Sequence, residues 1–169
     1  MLVEFDDEIQ KIRDIREKKI SEGLKLDIPE IDEHIRLKKG NFNVILGHAN
    51  VGKTTVVLYL MLLYSIKHNL RWLIFSSEND PYTLIKKIIE FLENKPINKI
   101  PNQDFDAKLS WINDHFKFIS NEQMYSWKDL KGLAQAIKNA WNYDGFIIDP
   151  YNSLIKKKEK GLNGNEYNY

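Results

Sequence analysis

The chain has no cysteine in its 169 residues. That excludes disulfides, thiolate nucleophiles and cysteine-ligated metal centres. Its four histidines are scattered and lack the spacing of a ligand set. Net charge is almost absent: 25 Lys and Arg stand against 24 Asp and Glu, a formal +1. No global field draws the chain to nucleic acid, so any such contact must be local, on a loop or one face. Long hydrophobic runs are missing too. The longest, residues 56–66, is interrupted by Ser65 and is too short to span a bilayer. No secretory leader is expected at the start, because Glu4, Asp6, Asp7 and Glu8 follow closely on Met1. A cytoplasmic protein with no membrane partner is the expectation.

What is present is ordinary globular composition, 43% hydrophobic and 29% charged, in a length that suits one domain with a sizeable core. One stretch organises the rest. Residues 42–55 read FNVILGHANVGKTT, in which Gly47, Gly52, Lys53 and Thr54 satisfy G-x-x-x-x-G-K-[ST], the P-loop pattern. Residues 42–46 form a short apolar run, as expected of a buried parallel strand. The two glycines let the backbone turn so that its N–H groups face a phosphate. Lys53 supplies a point charge for the β- and γ-phosphates, and Thr54 a hydroxyl for Mg²⁺. A helix follows, whose N-terminus favours an anion. Nucleotide binding is therefore expected from Gly47, His48, Ala49, Asn50, Val51, Gly52, Lys53, Thr54 and Thr55.

The remaining pattern alternates strands and helices. Residues 6–20 predict a helix with Ile9, Ile12, Arg16 and Ile20 on one face, an acidic start and a basic end, closed by Gly23. Its apolar stripe is narrow, which suits either packing on its own domain or docking on a neighbouring subunit. Residues 26–37 begin extended and turn helical after Pro29, and residues 38–41 turn into the strand at 42–46. The helix at 53–68 is apolar nearly all round and is expected to be central and buried. Residues 70–77 predict the second strand. Asp80 and Pro81 open a helix to about Glu93, with Leu84, Ile85, Ile88, Ile89 and Leu92 inward. Residues 94–102 read as a loop, 103–115 as a helix and 116–120 as a strand. Ser126 and Asp129 form a capping box for a helix carrying Leu130, Leu133, Ala134, Ile137 and Trp141 on one face. Residues 146–148 predict a strand ending in Asp149 and Pro150. The expected class is α/β, a mostly parallel sheet with helices on both faces and no internal repeat.

Two carboxylates stand where strands end, the position at which open α/β sheets bind ligands. Asp149 closes GFIID and suits a metal-holding acid, directly or through water; its alternative is a turn residue before Pro150. Glu78 closes LIFSSE and suits a group that orients or deprotonates an attacking water.

GHANVGKTT, FSSEND and FIIDPYNSL occur in that order. Together they resemble the RecA-like ATPase domain of DnaB-type hexameric replicative DNA helicases, particularly the phage-type primase-helicase group. The lead-in IPEIDEHIRLKKG shares the likeness, which covers roughly residues 26–169. The glutamate after the second strand is its most telling feature, and Pro150 leaves no acid beside Asp149, as in that arrangement. The resemblance implies a RecA-like P-loop fold, with residues 1–22 a linker-type helix and 23–169 the ATPase core. It implies ATP and Mg²⁺ as cofactors, with Lys53 and Thr54 on phosphate and metal. Glu78 would be the catalytic glutamate, with Lys53 the second catalytic residue, and Asp149 the Walker B acid. It further implies a homohexamer joined through the N-terminal helix and the ATP interface, and single-stranded DNA in its channel. The pattern departs from the family after Asp149. No γ-phosphate-sensing strand and no arginine finger follow before Tyr169, so the core is expected to be incomplete, its C-terminal strands missing, with a gap between the strand at 42–46 and the strand at 146–148.

Lys156, Lys157, Lys158 and Lys160 follow that strand, with Gly161 and Gly164 among them. They suit contacts to DNA phosphates or, equally, a solvated charged tail. Three readings of function remain open: a DNA-stimulated ATPase motor, an ATP switch or loader that does not unwind, and a nucleotide-binding scaffold without turnover.

Overall fold

Trp72–Ser76 (β1) is buried at every position, as a central parallel strand covered on both faces should be. The structure, a computed structural model, describes residues 4–17, 19 and 23–155. β1 pairs in parallel with Phe116–Ile119 (β2) on one side and Gly145–Asp149 (β3) on the other, in the order β2-β1-β3. The chain leaves β1 through helices Pro81–Glu93 (α4) and Asn102–His115 (α5) to reach β2. It then steps back past β1 through helix Trp127–Ala140 (α6) to reach β3. A crossover that reverses direction while keeping its right hand puts its helix on the opposite face.

The side chains follow that geometry, because strand residues alternate between faces. Leu73, Phe75 and Ile119 form a buried cluster with Tyr125 and with Leu130 and Ala134 of α6; Phe146 and Ile148 of β3 pack against it. On the other face, Phe116 and Phe118 stand beside Trp72 and Ile74 in register. Phe116 and Phe118 share a cavity wall with Ile85 of α4 and with Leu109 and Ile112 of α5. Gly145 sits opposite Trp72, and a Cβ there would lie 2.4 Å from the indole ring. An α/β arrangement with a parallel sheet and helices on both faces is thus present.

The chain divides into two compact units, with the boundary between Asn69 and Leu70. The sheet belongs to the second. The first holds Phe5–Arg16 (α1), the short helix Pro29–Asp32 (α2) and Lys53–His68 (α3). Its segment 24–37 closes into a loop through an antiparallel bridge between Leu24 and Leu37. The Tyr64 hydroxyl accepts from Leu37 N–H at 3.2 Å and donates to the Leu24 carbonyl at 3.4 Å. Asp32 is buried beneath the same loop and accepts from the N–H groups of Leu26 at 2.6 Å and Ile28 at 3.2 Å.

Three expectations need correction. Residues 42–46 form no strand, and Phe42 (88%), Val44 (62%), Ile45 (55%) and Leu46 (87%) are exposed. A strand needs ladder partners, and among the described residues none pairs with this run. Helix α3 is not buried all round. Leu58, Met61, Leu62 and Ser65 form one buried face, while Val56, Tyr59 and Ile66 are exposed; the spacing i, i+3, i+4, i+7 makes it one-sided. Finally, α1 ends at Arg16 with Glu17 as its C-cap, well before Gly23, and none of its residues is buried. Ile20, expected on its apolar face, lies outside the described residues.

Candidate functional site: a glycine-rich loop and a carboxylate edge

The loop leads directly into α3. Gly47, His48, Ala49, Asn50, Val51 and Gly52 are all exposed, whereas Lys53, Thr54 and Thr55 are half-buried in the first helical turn. The chain turns through two left-handed residues, Asn50 at φ 60° and Gly52 at φ 88°. Asparagine and glycine are the residues that adopt this conformation at least cost. The Gly52 carbonyl then accepts the first helical hydrogen bond, from Val56 N–H at 3.0 Å.

Lys53 folds back over the loop. Its Nζ donates to the Gly47 carbonyl at 3.0 Å and to the His48 carbonyl at 2.7 Å. A Cβ at Gly47 would stand 3.2 Å from the Val51 side chain and 3.4 Å from Lys53 Cδ. Glycine at 47 thus leaves the space through which the lysine passes. The ammonium is held over the loop, and no acidic residue occupies the first turn of α3. Positive charge and a helix start coincide there, a combination suited to an anion.

The second unit carries the two strand-end carboxylates. Asp149 is the last residue of β3 and stands in register with Ser76, the last of β1. Ser77 N–H donates to the Asp149 carbonyl at 3.1 Å. Asp149 is half-buried, and Glu78, two residues beyond β1, is exposed. The structure therefore places Asp149 at the C-terminal end of β3 and Glu78 just past the C-terminal end of its neighbour β1. Lys156, Lys157, Lys158 and Lys160 lie outside the described residues.

Two features of this edge escaped the sequence reading. One is a cleft of 370 Å³ at the ends of β1 and β2, lined by Asp80, Ser120, Asn121 and Glu122 among others. Asn121 Nδ2 donates to Asp80 Oδ1 at 3.3 Å there. Its signal was positional, since residues just past a parallel strand face the ligand edge. The other is an exposed aromatic pair, Trp127 and Tyr151. These two are far apart in sequence, and only the pairing of β1 with β3 and the placing of α6 bring them together.

No protein-family model matches this chain, and no curated protein does. Among the described residues no three His, Cys, Asp or Glu side chains gather as a metal site. Among the described residues no helix is long and apolar enough to cross a membrane.

Proposed function

We propose that this chain binds ATP on residues 47–55 and hydrolyses it, as the RecA-like motor domain of a hexameric helicase that moves on single-stranded DNA. The observation that carries the reading is the loop itself. Lys53 is held over the carbonyls of Gly47 and His48 at the start of a helix with no acid in its first turn. A triphosphate arriving there exchanges those two carbonyls for its own oxygens at the ammonium, and meets the first N–H groups of α3.

The remaining roles follow the resemblance. Glu78 orients or deprotonates the attacking water, and its exposure leaves it open to solvent. By that resemblance Thr54 would offer its hydroxyl and Asp149 its carboxylate to Mg²⁺, the oxygen donors such an ion takes. Bound Mg²⁺ supplies charge neutralisation of the phosphates. Helix α1, with Phe5 77% and Ile12 65% exposed, is assigned to contact with a second copy of the chain. A module that binds nucleotide without turnover is the second reading. It is favoured by residues 42–46, which form no strand and leave Phe42 and Leu46 exposed.

Steady-state ATP turnover, with and without single-stranded DNA, separates the readings. The motor predicts turnover that rises with DNA and disappears in Glu78→Gln, while ATP binding survives in that variant. Binding with no turnover in the wild type would assign the chain to the second reading.

A further inference from the structure

Trp127 and Tyr151 make an aromatic step on the surface of the second unit. Their ring centroids are 6.3 Å apart at an interplanar angle of 60°. Trp127 is 46% exposed and Tyr151 63%, with Met124 nearby in the chain at 77%. Large apolar side chains gathered on a surface mark a place of interaction more often than isolated ones do. An edge-to-face contact also leaves ring face open for a further planar group.

The backbone beneath both rings is fixed. Trp127 is the first residue of α6, whose start is held by the Ser126–Asp129 capping box. Tyr151 opens a single 3-10 turn, Tyr151–Ser153, closed by Ser153 Oγ donating to the Pro150 carbonyl at 2.7 Å. The two segments are tied together where Ile155 N–H donates to the Tyr125 carbonyl at 2.9 Å and Ile155 bridges Ser126.

The charge around the step is positive on α6. Lys128 is next to Trp127 and Lys131 one turn above it, both exposed. The acid in that turn, Asp129, is engaged with the Ser126 hydroxyl at 2.7 Å and its N–H at 3.1 Å. Asp149 lies two residues before Tyr151, on the side of the sheet edge. In sequence, Ile155 is followed at once by Lys156, Lys157 and Lys158.

We infer that Trp127 and Tyr151 are a stacking platform for bases of single-stranded DNA, with Lys128 and Lys131 meeting its phosphates. The ligand class rests on the proposed function; the location rests on the rings and the lysines. Every base has a π face, so such a platform binds without reading sequence, and lysine contacts to phosphate add affinity that falls with salt. A duplex hides its base faces within the stack and gains only the lysine contribution.

The test is fluorescence anisotropy of the full chain with labelled oligo(dT) and with an abasic oligomer of equal length. Trp127→Ala and Tyr151→Ala should each weaken oligo(dT) binding about five- to tenfold, and leave the abasic oligomer as in wild type. Trp127→Phe, which keeps a ring, should retain most of the affinity. Where Trp127→Ala does not fold, Tyr151→Ala decides. Wild-type affinity for oligo(dT) in the alanine variants, or equal loss for both oligomers, overturns the platform. So does a wild-type chain that binds no oligo(dT). A fluorescent ATP analogue titrated into the same samples reports separately on the nucleotide reading, since neither ring is assigned to the ATP site.

Discussion

Asp32 shows how one side chain can organise a segment that is otherwise hard to read. Residues 24–37 contain only one short helix, and their closure depends on a buried carboxylate. Burial pushes its pKa up, but hydrogen bonds from the N–H groups of Leu26, Asp27 and Ile28, with the charge of Lys67, outweigh this and hold it below the usual carboxylate range. An unfolded chain has Asp at about 3.9. The carboxylate therefore lends its full stability above about pH 4, and that contribution is lost as pH falls through the lower folded value. Denaturant unfolding between pH 6 and 3, in steps of about one unit, should show wild type losing stability toward acid more steeply than Asp32→Asn, which should also be the less stable of the two at neutral pH. Parallel acid limbs would remove this role. Nothing in the sequence marks Asp32 apart from its neighbours Glu30 and Glu33. Its importance comes from three backbone donors that converge only once the loop has closed.

At the scale of elements, what could be read in advance is what depends on nearby residues. Pro81 opens α4 and Glu93 ends it, as the proline, the apolar spacing and the asparagine that follows imply. The capping box of α6 forms in full, with Ser126 Oγ accepting from Asp129 N–H at 3.3 Å and Asp129 Oδ2 accepting from Ser126 N–H at 3.1 Å. Ser126→Ala should cost about 1 kcal/mol of stability in denaturant titration. A cost near zero would show that the Leu130 and Ala134 contacts alone hold the helix start. The apolar run at 42–46 misled for the opposite reason. Its composition marks it for burial, but burial of a strand is decided by partners distant in sequence, and the three strands that pair here do not include it. The apolar face of α1 was equally legible as a pattern, yet what covers such a stripe is a property of other surfaces.

At the scale of the molecule, charge and chemistry are local rather than global. A formal charge of +1 leaves no overall field, while the ammonium of Lys53 sits over one helix start, Asp149 ends β3 and Glu78 lies two residues beyond β1. In the glycine-rich loop the left-handed turn at Gly52 was legible because glycine adopts it at least cost, whereas Asn50, the other left-handed residue, was not singled out as one and Gly47 is not left-handed. The position of Asp149 at the end of β3 could be read because the apolar run before it marks the strand. The aromatic step could not, since Trp127 and Tyr151 meet only through the sheet order. The central claim is that residues 47–55 hold the phosphates of ATP. Calorimetric titration of the full chain with a non-hydrolysable ATP analogue and Mg²⁺ tests it most directly. Binding should be present in the wild type and weakened about 10- to 100-fold in Lys53→Ala, the loss of a charged hydrogen-bonding group from a phosphate. A wild-type chain that takes up no nucleotide, or a Lys53→Ala chain that binds it as tightly as wild type, would contradict the account.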